Sequence, residues 1–132
     1  MTEQYTALYE EHKRLGASFT DFGGWQMPLK YSSELAEHHA VRKAAGLFDL
    51  SHMGEVEVTG PDAGAFLDYA LTGKLSAVAV GRAKYSLIPN ADGGIIDDLI
   101  SYRLGEDEYL VVPNAGNAAV VAAELAARAE GF

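Results

Sequence analysis

The sequence predicts an α+β fold: an antiparallel sheet with a three-strand meander and flanking helices. The segments AKYSLIP, GIIDDLISYRL and EYLVVP carry that prediction, because only NADG and GEDE separate them, and such short polar turns join antiparallel strands. Runs before and after the meander repeat apolar residues at helical spacing. At 132 residues, the chain fits one ordinary domain of roughly 100–200 residues.

Taken in order, Gln4 to Leu15 has helical spacing, with Tyr5, Leu8, Tyr9 and Leu15 on one side and Gly16 as a stop. The next stretch, SFTDFGGWQMPLKYSS, mixes Gly23, Gly24 and Pro28 with aromatic residues and reads as an irregular loop anchored by large side chains. Ser33 caps a helix over 34–45, whose first turn holds Glu34 and Glu37 and whose last holds Arg42 and Lys43, matching the helix dipole. GLFDLS is a short apolar run. MGEVEVTG then alternates, placing Val56 and Val58 on one face of a half-buried strand. Gly60-Pro61 turns the chain, Asp62 caps, and Ala63, Phe66, Leu67, Ala70 and Leu71 form a third helix ending near 71. After the meander, NAGNAAVVAAELAARAEGF is a helix apolar on most of its circumference, so its small residues call for cover on several sides.

Composition narrows function. No apolar run approaches the ~20 residues a bilayer crossing needs, and the start lacks a secretion signal, so the chain reads as soluble and unexported. Without cysteine there is no disulfide, thiolate nucleophile or cysteine metal site. Ten Lys and Arg stand against 19 Asp and Glu, for a net charge of −9, which argues against a grip on nucleic acid. Arg42 and Lys43 read as a solvated helix end.

Few residues are placed for chemistry. His38 and His39 are adjacent on a helix and lack the i,i+4 spacing of a shared metal site; His38 reads as a surface residue and His39 as packed beside Leu35. Ser51 and His52, being adjacent, make a poor nucleophile and base pair, which removes hydrolase chemistry. The glycine pairs at 23–24 and 93–94 lack phosphate-cradle spacing. Asp97 and Asp98 remain. On one strand they face opposite ways, Asp97 with Ile95, Leu99, Ser101 and Arg103, and Asp98 with Ile96, Ile100 and Tyr102. That places Asp98 on an otherwise apolar and aromatic face, where a carboxylate is costly unless hydrogen-bonded. Two readings stand: a bond to the NADGG turn just before the pair, or a ligand.

Read together, LYEEHKRLGA, DFGGWQMPLKY, EHHAVRKAAGLFDLSHMGEVEVTGPDA, AKYSLIPNADGGIIDDLISY and VVPNAGN resemble the glycine cleavage system T protein family across nearly the whole chain. The resemblance implies the folate-binding fold of that family. It also implies an aminomethyltransferase, which passes the aminomethyl carbon from the lipoyl arm of the hydrogen-carrier protein to tetrahydrofolate and releases ammonia. The family's essential carboxylate falls on GGIIDD, at Asp98, which shares its face with Ile100 and Tyr102. Met53, Tyr85, Asp98, Ile100, Tyr102 and Asn114 match positions of the folate pocket, and no metal is implied. The implied partners are the lipoylated carrier and tetrahydrofolate, with neither nucleic acid nor membrane, in the cytoplasm. T proteins are longer, so residues 1–132 are expected to be the N-terminal part of the folate-binding domain. The other readings are a non-catalytic folate-binding relative of the iron–sulfur-assembly type, whose cysteine motif would lie beyond Phe132, or an inactive fragment.

Overall fold

The computed structural model describes residues 2–132, which form two compact units, one running to His52 and one from Met53 to Phe132. In the first, β1 (Gln4–Tyr5), β2 (Ser18–Phe22) and β3 (Trp25–Lys30) make a small sheet in the order β1-β3-β2, accompanied by α1 (Tyr9–Arg14) and α2 (Glu34–Lys43). In the second, β4 (Val56–Thr59), α3 (Ala63–Ala70), β5 (Ala83–Pro89), β6 (Ile95–Gly105), β7 (Glu108–Pro113) and α4 (Ala118–Glu130) follow one another. Their antiparallel sheet has the order β4-β7-β6-β5, so β5, β6 and β7 form the expected meander.

Two early expectations are corrected in the first unit. The helix expected over 4–15 begins only at Tyr9, because Tyr5 is drawn into parallel pairing with Gln26 and the Thr6 carbonyl closes a turn onto the Tyr9 amide (3.1 Å). Its buried residue is His12; Tyr5, Leu8 and Leu15 are exposed. The stretch read as an irregular loop is a hairpin. Gly23 and Gly24 form its two-residue connection between Phe22 and its partner Trp25, both with positive φ (60° and 91°), which only glycine adopts without strain. Pro28 sits in β3 past the two residues paired with β1, where its missing N–H leaves no ladder bond unmade.

Helix α2 begins as expected, with the Ser33 hydroxyl accepting the Ala36 amide at 3.3 Å. It buries none of its residues, so His39 does not pack beside Leu35, and both are exposed. Asp62 occupies the N-cap of α3 without making a capping bond, and the Ala63 amide donates to the Gly60 carbonyl instead.

The core of the second unit lies on one side of its sheet. Phe66 and Leu67 of α3 and Val121 and Leu125 of α4 pack with Ile88, Leu99, Tyr109 and Val111 from three strands. Each large apolar side chain so buried contributes about 1.5–3 kcal/mol. Arg128 of α4 ties the helices to the sheet by donating to the carbonyls of Ala70 (2.7 Å) and Pro89 (2.6 Å). The approach of α4 to β4 depends on Gly54, where an added Cβ would lie 2.5 Å from the Ala118 Cβ. The atom it would meet is a short alanine Cβ and not the far end of a flexible side chain. Gly54→Ala is therefore expected to destabilise the protein by about 1–3 kcal/mol, as overpacking does. Chemical denaturation followed by far-UV circular dichroism checks this, and a change under 0.5 kcal/mol, the usual range of a surface substitution, would show that the helix start shifts freely.

Candidate functional site

The meander has two unlike faces. Ser86, Ile88, Asp97, Leu99, Ser101, Tyr109 and Val111 point to the helix-covered side and are buried. The opposite face leaves Tyr85 60%, Ile100 39%, Tyr102 41% and Leu104 52% exposed. An open apolar and aromatic surface of this kind on a folded sheet is a candidate contact surface. Register explains the grouping: Tyr85 pairs with Ile100 across β5 and β6, Ile100 with Val112 across β6 and β7, and Asp98 and Tyr102 flank Ile100 on the same side of β6.

Here alternation reverses one expectation. The carboxylate in the costly position is Asp97, which is 5% exposed, while Asp98 lies on the open face. The helices cover the Leu99 and Ser101 side, and the ladder slips next to Pro89, so Ile96 turns from Asp98's face and packs on the core. Neither aspartate bonds the NADGG turn. Asn90 closes that turn by accepting the amides of Asp92 (3.0 Å) and Gly94 (2.8 Å).

Asn114, just past β7, joins the two carboxylates. Its backbone amide donates to Asp97 Oδ2 (2.9 Å), and its Nδ2 lies 2.9 Å from Asp97 Oδ1 and 2.8 Å from Asp98 Oδ1. The Tyr85 hydroxyl donates to the other oxygen, Asp98 Oδ2, at 3.1 Å. Asp98 is thus held from two sides while remaining open to solvent. The bond to Asp98, then desolvation, then the charge of that carboxylate raise the Tyr85 phenol above its ordinary 10.0, since each favours the protonated hydroxyl. Asp98→Asn should bring the Tyr85 titration back toward 10.0. NMR of 13C-labelled tyrosine reads this directly, and an unmoved midpoint would show that the phenol is not bonded to Asp98.

Five of the residues expected at a site, Tyr85, Asp98, Ile100, Tyr102 and Asn114, thus meet on one face or at its end. Met53 is half-buried, and its neighbour Gly54 stands against Pro113 and Ala118, so the chain at Met53 passes the Asn114 end. A cleft of about 540 Å³ lies elsewhere, along β4, α3 and α4, and none of these six residues lines it. The open face offers aromatic surfaces, a carboxylate and an amide. These suit a flat heterocycle whose N–H groups need acceptors. Among the described residues no His, Cys, Asp and Glu cluster could hold a metal ion, and no helix is long and apolar enough to cross a membrane.

A buried polar cluster in the first unit escaped the reading of the sequence. Asp49 accepts from the Thr6 hydroxyl (2.7 Å), from His12 Nε2 (2.8 Å) and from the Ser51 amide (2.9 Å) and hydroxyl. The Tyr31 hydroxyl stands 2.5 Å from His12 Nδ1. The available signal was Asp-Leu-Ser, an Asx turn in which an aspartate accepts the amide two residues on. Ser51 therefore serves Asp49 and not His52, whose buried ring packs edge-on against Phe22 and Trp25. His52 lies in a turn with Ser51, and the strand starts only at Val56.

A sheet with helices on one face and a carboxylate held on the other defines an α+β domain built on antiparallel strands. The chain belongs to the GCVT N-terminal domain family, which it matches over residues 8–131. It is 68% identical over 133 residues to an aminomethyltransferase of Corynebacterium jeikeium, covering 100% of this chain and 34% of that protein. An aminomethyltransferase of Thermus thermophilus is 54% identical over 127 residues, covering 96% and 36%. The crystal structure of glycine cleavage system aminomethyltransferase T from Bartonella henselae superposes with a TM-score of 0.95 at 46% identity, over 99% of this chain and 37% of that one. The chain spans about a third of the length of the relatives it matches.

Proposed function

We propose that residues 1–132 supply the N-terminal, folate-facing part of an aminomethyltransferase of the glycine cleavage system, acting in the cytoplasm with the lipoylated carrier protein as partner. The observation that carries this reading is Asp98, held by Tyr85 and Asn114 on an open face beside Ile100 and Tyr102. Tetrahydrofolate is the acceptor substrate. Its flat pterin suits the tyrosine rings, and its N–H groups suit Asp98 and the Asn114 carbonyl oxygen.

The transfer makes bonds from two folate nitrogens to the aminomethyl carbon, breaks that carbon's bonds to sulfur and to the amine, passes the two displaced N–H protons to the departing amine and thiolate, and yields methylenetetrahydrofolate, ammonia and the dihydrolipoyl carrier. In this chemistry the chain's residues orient and stabilise. Tyr85, Ile100 and Tyr102 fix the plane of the ring, Met53 borders the Asn114 end, and Asp98 faces the nitrogen and steadies positive charge developing there. A reconstituted assay with aminomethylated carrier tests the reading. Ammonia and methylenetetrahydrofolate formed in equal amounts, and only when tetrahydrofolate is added, are expected; formation of neither overturns it.

A further inference from the structure

We propose that Asp97 is a positioning residue for this site: from the buried side of the sheet it fixes the polarity of the Asn114 carboxamide, and through it the setting of Asp98. The inference rests on the reading of Asp98 as the ligand-facing carboxylate. Asp97 is 5% exposed, and none of the ion pairs among the described residues includes it. A buried carboxylate without a cation is costly and persists only where hydrogen bonds answer it. Three do so, from the Asn114 amide (2.9 Å), Asn114 Nδ2 (2.9 Å) and Asn117 Nδ2 (3.1 Å). Asn117 also donates to the Ile96 carbonyl (3.2 Å), which pins the turn over 115–117 to β6.

The backbone bond alone would make Asp97 a clamp for that turn. The side-chain bond does more. Asn114 Nδ2 has two hydrogens and faces Asp97 Oδ1, Asp98 Oδ1 and the Asp98 carbonyl, each within 2.9 Å. Ionised carboxylates only accept, so with aspartate on both sides the carboxamide is stable in one orientation, nitrogen toward the acids and oxygen away from them. Asparagine at 97 presents both a donor and an acceptor. Of the three acceptors only the two of Asp98 then hold the Asn114 nitrogen in place, so turning over, which withdraws its N–H from Asp98 and brings its oxygen against that carboxylate, costs less. Adjacent acids on opposite faces of one strand thereby act together, one fixing an amide and the other exposed to the ligand.

Kinetics of the aminomethyltransferase that carries this chain, varied in tetrahydrofolate, test the proposal with Asp97→Asn, Asn114→Ala and the double variant. Asp97→Asn is expected to lower kcat/KM by about 10- to 100-fold, the scale of a displaced positioning contact. In the Asn114→Ala background the same change should cost less than about twofold, because the route to Asp98 is already cut. Unchanged kcat/KM in Asp97→Asn, or an equal loss in both backgrounds, would overturn the proposal, since a purely structural role adds. Full turnover by Asp98→Asn would overturn the functional reading instead. Should Asp97→Asn fail to fold, the unaltered protein decides. Its Asn114 side-chain amide protons should be protected from exchange in 15N–1H spectra, and exchange at the free-amide rate would overturn the proposal.

Discussion

Under the proposed function, Asp98→Asn in the protein that carries this chain is expected to lower tetrahydrofolate-dependent turnover by about 100- to 1,000-fold, the loss typical when one preorganised electrostatic contact is removed from a reacting centre. The substitution is nearly isosteric and leaves an oxygen for the Tyr85 hydroxyl at 3.1 Å. It removes the negative charge and sets one N–H against Asn114 Nδ2, which now lies 2.8 Å from Asp98 Oδ1. Because Asp98 is exposed, the fold should tolerate the change within about 0.5 kcal/mol, as surface substitutions usually do. Turnover and a thermal melt measured on one preparation separate the outcomes. Turnover within twofold of the parent would remove Asp98 from the reaction. A melt lowered in step with activity would make it a structural residue.

Local pattern made the second unit legible. Strands β5 and β7 occupy the stretches AKYSLIP and EYLVVP, because turn signals bracket them and alternation continues up to those signals. Helix α2 starts at Glu34 because its cap and charges are local as well. What alternation cannot supply is which face the helices cover. That is settled by Phe66, Leu67, Val121 and Leu125, which are remote from β6 in sequence, and it put Asp97 inside and Asp98 outside. The donors that make a buried Asp97 tolerable are equally remote, 17 and 20 residues on. In the first unit the aromatic content of 18–30 masked a two-glycine hairpin, and the start of α1 was decided by pairing of Tyr5 with β3. Residues of the candidate site came from the family resemblance. Physical reasoning alone reached the aspartate pair and stopped between its members.

Asp49 carries the largest stability effect expected in the first unit, and Asp49→Ala should destabilise it by about 3 kcal/mol, the scale of removing one partner from a buried charged contact. Its side chain is 3% exposed, and its loss strands the Thr6 hydroxyl, His12 Nε2–H and the Ser51 amide at once. Burial pushes the Asp49 carboxyl up, but the hydrogen bonds from His12, Ser51 and Thr6 outweigh it and hold the group well below its ordinary 3.8. A carboxyl depressed by folding stabilises fully above its unfolded value, and that stabilisation is lost as the pH falls from there toward the folded value. The gap between parent and Asp49→Ala should therefore be constant at neutral pH and narrow steadily below 3.8. Trp25, the sole tryptophan, lies in this unit and packs on His52, so its fluorescence during urea unfolding follows the right region. A gap that stays the same down to about pH 2.5, well under the unfolded carboxyl value, would mean that the ionised carboxylate does not hold the cluster. A gap under about 1 kcal/mol at neutral pH would put Asp49 on the scale of one ordinary hydrogen bond, and the segment between α2 and β4 would then owe its course to something other than this aspartate.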